Sequence, residues 1–109
     1  MIIYKATNKV NGKVYIGKTV EPLKIRMNNH KSDALSGRRD TKFCRAIRKY
    51  GWDSFGWEVI DDTAKTHEEL LDKEVYYIAM FSAIKKGYNL TEGGEGVTGL
   101  KRRNKREDQ

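Results

Sequence analysis

Glu74 is the residue whose surroundings are hardest to explain as ordinary surface chemistry. On a helix its i±3 and i±4 neighbours are Leu70, Leu71, Tyr77 and Ile78, none of them basic. An ionised carboxylate among apolar side chains is costly unless a cation or strong donors meet it. A glutamate at the edge of an apolar stripe, reaching an arginine from another element, is the competing explanation. Further polar groups with chemical capacity are the phenols of Tyr4 and Tyr15, Lys18, the Arg26/His30 pair and Asn89. One carboxylate, with water and a substrate phosphate as the other ligands, suits Mg²⁺, which keeps most of its own water shell. Such a set would serve hydrolysis of a phosphodiester. Nucleophilic serine or cysteine chemistry is not supported, because Cys44 lies among basic residues and neither histidine has an evident partner.

These residues need a scaffold, and the N-terminus supplies a clear one. Ile2-Ile3-Tyr4 and Val14-Tyr15-Ile16-Gly17-Lys18 are short β-branched and aromatic runs separated by Asn11-Gly12, the strongest short-range hairpin signal. With Asn11-Gly12 as a two-residue loop, Val10 pairs with Lys13, Asn8 with Tyr15 and Ala6 with Gly17. Tyr4, Ala6, Asn8, Tyr15 and Gly17 then share one face. In that register the two phenols stand about 13 Å apart along the sheet, so they flank a shared site without touching. Tyrosines packing a sheet under a helix are the plain alternative.

A first helix is expected over residues 21–36, with Pro22 at its first position and Ser36-Gly37 as its stop. Arg26 and His30 are four apart on it, beside the Leu23/Met27 stripe. They could look into a cleft against the hairpin, or be a surface arginine and a hydrogen-bonded histidine. Asp40 or Thr41 can cap a second helix that buries Phe43, Ala46, Ile47 and Tyr50 and ends at Gly51. Its other face carries Lys42, Arg45, Arg48 and Lys49, a single-sign strip that points to phosphate contact. Residues 55–60 alternate as a third strand. Thr66 and Glu69 read as a capping box opening a third helix over residues 67–82. Gly87-Tyr88-Asn89-Leu90-Thr91 reads as a short returning strand that brings Asn89 near the core. From residue 92 the chain is Gly-rich and then basic, through Lys101, Arg102 and Arg103. That stretch has little to bury and is expected to be a flexible tail after a domain spanning residues 1–91.

The chain has 109 residues, a formal net charge of +7 and a pI near 9.5. Its length fits one small domain, and its charge makes double-stranded DNA or another polyanion the first partner to consider. An anionic membrane is a weaker candidate, since no basic helix has a continuous apolar face. No segment is long enough to span a bilayer, no secretory signal pattern opens the chain, and one cysteine makes no intramolecular disulfide. An intracellular protein is expected.

The order and spacing of Ile2-Ile3-Tyr4, Tyr15-Ile16-Gly17-Lys18, Arg26, His30, Glu74 and Gly87-Tyr88-Asn89 resemble the GIY-YIG nuclease superfamily over residues 1–91. The catalytic domains of phage or intron-encoded homing endonucleases are the nearest kind. The resemblance implies an α+β fold, a small three-stranded antiparallel sheet flanked by about three helices, and cleavage of DNA with one divalent cation, Mg²⁺ or Mn²⁺. It also implies that Glu74 is the metal ligand and that Arg26 holds the scissile phosphate. Tyr4, Tyr15 and His30 would line the site, one of them helping to deprotonate the attacking water. Lys18, or the metal, would lower a phenol's pKa, and Asn89 would support the site floor beside Glu74.

Two positions depart from the family pattern. Ile2 stands where the first motif has glycine, and Arg39 stands near where some members carry a further histidine, so no role passes to it by resemblance. Homing enzymes usually continue into a separate DNA-binding region after a stretch like residues 90–96. A module with weak selectivity of its own, or one that depends on a missing segment or partner, is therefore expected. A non-catalytic basic nucleic-acid-binding domain is the rival. It needs the positive surface but gives Glu74 nothing to do.

Overall fold

The computed structural model describes residues 1–89. A three-stranded antiparallel sheet, β1 (Ile2–Asn8), β2 (Val14–Thr19) and β3 (Phe55–Asp61), has the order β2-β1-β3. Helices α1 (Leu23–Ser36) and α2 (Lys42–Tyr50) follow the hairpin; α3 (His67–Met80) and a one-turn α4 (Ala83–Lys86) follow β3. A 3₁₀ turn, Trp52–Ser54, leads into β3. The expected fold class is therefore the observed one, with α4 as an addition.

Both faces of the sheet are covered. On one, Ala6 packs with Ala34 of α1, Phe43, Cys44, Ala46 and Ile47 of α2, Phe55 and Tyr88. On the other, Ile3 and Ile16 pack with Leu70 and Ile78 of α3 and Ala83 of α4. The central strand accordingly buries neighbours that point in opposite directions: Ile3 and Tyr4 are both 0% exposed. Helical layers on both faces bury the Ile3-Tyr4 end of the strand, and burial weakens at Lys5 and Thr7.

The hairpin forms, but in a register two residues away from the expected one. Tyr4 pairs with Gly17 and Ala6 with Tyr15. The Asn8 N–H donates to the Lys13 carbonyl (2.9 Å), closing a longer loop in which the Gly12 N–H donates to the Asn8 carbonyl (2.7 Å). Gly12 is left-handed (φ 79°) and Asn11 is not, so this is not the two-residue turn that places both residues at positive φ. Side-chain amides hold the loop instead: the Asn8 oxygen accepts from Val10 N–H and the Asn11 oxygen from Lys13 N–H, each at 2.9 Å. A shift of two keeps every residue on its expected face, but it brings Tyr4 and Tyr15 together. Their ring centroids are 6.3 Å apart, which overturns the expected 13 Å separation.

Helix ends follow local chemistry with small displacements. Pro22 occupies the cap position of α1 rather than its first turn, with φ −57° and ψ 148°. Thr41 caps α2 by accepting from Cys44 N–H. Thr66 caps α3 by accepting from Glu69 N–H, but the Glu69 carboxylate reaches back to Lys65 N–H, one residue before the partner a capping box would use. The third helix ends at Met80, because Ser82 adopts a left-handed conformation (φ 52°) that starts the separate α4. Residues 87–89 lie against β2 without forming a regular strand, while Leu90, Thr91 and the expected tail lie outside the described residues.

Candidate active site

Strand β2, the first helix and the loop after it, α3 and the Tyr88-Asn89 segment meet at the free edge of the sheet. There they enclose a cavity of about 330 Å³. Tyr15, Lys18, Arg26, His30, Glu74 and Asn89 all contribute to its wall. The structure thus gathers six of the seven residues singled out for chemistry, although they come from four parts of the chain. The seventh, Tyr4, lies behind the wall.

Tyr4 is fully buried and its hydroxyl is 2.7 Å from His30 Nε2. Its ring is stacked on Trp57 (centroids 6.0 Å apart) and lies beside Tyr15. The ring also explains Gly17. A Cβ at that position would come within 2.3 Å of Tyr4 Cζ and Oη, so glycine is needed here for space and not for a special backbone angle. The space beside Gly17 is filled by the Tyr4 phenol.

Burial dominates the ionisation of this cluster. It pushes the Tyr4 phenol far above its usual range, reinforced by the neighbouring Tyr15, while the Arg26 guanidinium opposes the rise as a charge and as a hydrogen-bond partner. The Tyr15 phenol is raised for the same first reason, again opposed by Arg26. His30 is pushed down to about 3, chiefly by burial, with the Arg26 charge as the second cause. At neutral pH the trio is therefore two neutral phenols and a neutral imidazole. Such a network can relay or accept a proton only when something adds charge beside it, and Arg26 is the resident cation. Arg26 is half-buried and His30 buried, one helical turn apart on α1 as the sequence spacing requires.

Across the cavity Glu74 is 7% exposed. The cation that meets it is Lys18, whose Nζ lies 3.2 Å from Glu74 Oε1. The helix-surface neighbours of Glu74 are apolar, as expected, and the compensating charge comes from β2. Lys18 points to the α3 side of the sheet and Tyr15 to the α1 side. The β2 edge is thus where the two helical layers can both reach one cavity.

Asn89 completes the floor. Its side-chain amide donates to the Ile16 carbonyl and its oxygen accepts from Ile16 N–H, both at 2.8 Å. One side chain thereby satisfies both outward backbone groups of an edge-strand residue. The preceding Tyr88 donates its N–H to the Val14 carbonyl (2.9 Å), and its hydroxyl accepts from the Asn8 and Asn11 amides (3.0 and 3.3 Å).

Asp33, Arg39 and Thr41 are among the lining residues that sequence does not single out for the site. Asp33 lies three residues beyond His30, a helical spacing that could have flagged it; Arg39 and Thr41 belong to a loop whose path no periodicity describes. The basic residues of α2 do not line the cavity and are largely engaged with the protein. Arg45 and Arg48 both pair with Asp40, at 3.2 and 2.9 Å. Lys42 Nζ is 3.4 Å from the Ile84 carbonyl, and Lys49 stands over the Tyr50 ring at 5.3 Å. Lys101, Arg102 and Arg103 lie outside the described residues. Among the described residues there is no cluster of three or more His, Cys, Asp or Glu groups able to cage a metal. Nor is any helix there long and apolar enough to cross a membrane.

The fold is similar to two solved structures. One is a mutant of the catalytic domain of the intron endonuclease I-TevI, at 23% identity, with a TM-score of 0.76 over 84% of this chain and 93% of that one. The other is the catalytic domain of the homing endonuclease I-TevI, at 24% identity, with a TM-score of 0.72 over 82% of this chain and 96% of that one. No match to the chain was found among curated proteins. The sequence itself matches the GIY-YIG catalytic domain over residues 1–89, the same span that builds the sheet, its helical layers and the cavity wall, and the chain belongs to that family.

Proposed function

We propose that this chain is a divalent-metal-dependent DNA endonuclease that hydrolyses phosphodiester bonds, a homing-endonuclease-like catalytic module. The observation that carries this reading is the convergence of Glu74, Arg26 and the Tyr15/His30 wall on one cavity of a basic domain. The donor set fits Mg²⁺ or Mn²⁺: a single, nearly buried carboxylate already draws a cation, the Lys18 ammonium, to 3.2 Å. A hard ion that keeps its waters and shares a substrate phosphate needs no more protein ligands than that. When bound, the ion supplies Lewis-acid polarisation of the phosphate and a more acidic water.

The protein's own groups do the rest. Arg26 faces the cavity and offers a planar guanidinium to the non-bridging oxygens, where negative charge grows in the transition state. Tyr15 and His30, both neutral, position the attacking water by hydrogen bonds, with Tyr4 fixing the imidazole from behind. Of the two tyrosines only Tyr15 reaches the cavity wall, and it would take the water's proton as the phenolate, a form that burial opposes and the Arg26 charge favours. Lys18 balances Glu74, and Asn89 holds the β2 edge in register beneath them.

Supercoiled plasmid incubated with the protein and Mg²⁺ should give nicked or linear product. EDTA, Glu74→Ala or Arg26→Ala should each abolish it. Full cleavage by both folded variants would sink these roles. A purely binding domain predicts retention of DNA without metal and indifference to Glu74.

A further inference from the structure

The loop between α1 and α2 is short, polar and exposed, yet it is fixed at several points on both sides of Arg39. Arg48 Nη1 donates to the Ala34 carbonyl at 3.0 Å and to the Arg39 carbonyl at 3.4 Å, while its Nη2 donates to Asp40 Oδ1 at 2.9 Å. Arg45 Nη1 donates to the Asp40 carbonyl at 2.9 Å and pairs with its carboxylate at 3.2 Å. Thr41 closes the loop by capping α2. Two arginines of the basic helix are therefore spent on a staple across a five-residue connection, Gly37 to Thr41. Surface pairs contribute little stability singly. Their shared target gives them another effect, which is to fix the backbone on either side of Arg39.

Arg39 itself enters the cavity wall, close enough for its charge to act on both Tyr15 and His30. Among the described residues no carboxylate pairs with its guanidinium, whereas Arg38, Arg45 and Arg48 each have one. It is exposed where Arg26 is half-buried, so the two guanidiniums stand at different depths of one cavity. We propose that Arg39 is a second phosphate-binding residue of the site, gripping the DNA backbone at the rim, and that Arg48, Arg45 and Asp40 are the positioning residues that present it. The assignment rests on the endonuclease reading of the cavity. It also reverses the expected role of Arg45 and Arg48, which then act on DNA through Arg39 and not by direct contact.

The test is the salt dependence of binding to a short duplex, measured by fluorescence anisotropy in EDTA so that nothing is cut. Thermal unfolding of each variant is followed in parallel. Loss of one phosphate contact should make the slope of log K against log salt shallower by about 0.9 and weaken binding about eightfold near 0.1 M salt. Arg39→Ala should show this loss, and Arg39→Lys should keep the slope. Arg48→Ala should lose no more than Arg39→Ala, and the double variant should match Arg39→Ala alone. Asp40→Asn is decisive because it raises the net charge and releases two arginines. Direct contact by those arginines predicts tighter binding, whereas the staple predicts weaker binding with an unchanged unfolding temperature. An unchanged slope in Arg39→Ala overturns the contact; additive losses in the double variant, or tighter binding by Asp40→Asn, overturn the staple. Failure of the underlying reading shows separately, as absence of Mg²⁺-dependent plasmid nicking by the unaltered protein.

Discussion

Gly17→Ala is the smallest change that should dismantle the site. The added Cβ would sit 2.3 Å from Tyr4 Cζ and Oη and 2.8 Å from Cε1, against about 3.4 Å for an ordinary contact. The ring must therefore retreat by about 1.1 Å, and it has nowhere to go: Tyr4 is 0% exposed and hemmed in by Tyr15, His30 and Trp57. A retreat of that size along the hydrogen bond would stretch the 2.7 Å link to His30 beyond useful range. Overpacking costs about 1–3 kcal/mol, and a buried hydrogen bond lost costs about 1 kcal/mol more. The expected loss is about 2–4 kcal/mol, large but survivable for a domain stable by about 5–15 kcal/mol. Urea denaturation followed by tryptophan fluorescence measures it, with Trp57 reporting beside the displaced ring. Gly56→Ala is the control, since a Cβ there meets nothing within 4 Å, and it should be neutral or slightly stabilising. Equal stability of the two variants, or wild-type plasmid cleavage by Gly17→Ala, would refute the close-packing argument.

Other perturbations test the remaining contacts. His30, held near 3, stays neutral in the folded protein while the unfolded chain takes up its proton below about 6.5; stability should therefore fall as pH drops from there, by at most about 1.4 kcal/mol per unit. His30→Gln should flatten urea-denaturation midpoints between pH 6.5 and 4, and a slope that persists would refute the assignment. Asp61 is held below the carboxylate range chiefly by the Thr63 hydroxyl and N–H, with help from Tyr77 and Lys73. Its contribution is present above about pH 4 and lost below it, so Asp61→Asn should unfold at lower urea at pH 7 yet lose less on acidification. Lys18→Gln should cost about 1–3 kcal/mol in metal-free buffer by leaving Glu74 without its ammonium, and an unchanged unfolding midpoint would argue against that pairing.

Sequence reading succeeded where one element decides the outcome. The hairpin, the Thr41 and Thr66 caps and the apolar surroundings of Glu74 depend on residues a few positions apart, and all are observed. The faces of Tyr4 and Tyr15 were legible for the same reason, since a shift of two residues conserves them. Their separation was not, because loop length depends on side-chain amides of Asn8 and Asn11 that outcompete the two-residue turn. The Lys18–Glu74 pair was illegible because it joins β2 to α3 across one layer boundary. Arg39 reaches the cavity only through a loop geometry set by Arg48 and Asp40, which no local pattern encodes.

The Asn89 clasp on Ile16 joins residues 73 apart in sequence, almost the whole described chain. On a ribosome, β2 would emerge early with one bare edge and wait until residue 89 had cleared the exit tunnel before that edge was sealed and the cavity floored. Completion of the cavity is thereby postponed to the end of the domain's synthesis, and an open strand edge is left exposed to mispairing for the interval. Hydrogen exchange at the Ile16 amide reads this directly. The amide should be slow in the full chain and fast in one ending at Gly87, and equal protection in both would remove Asn89 as the latch.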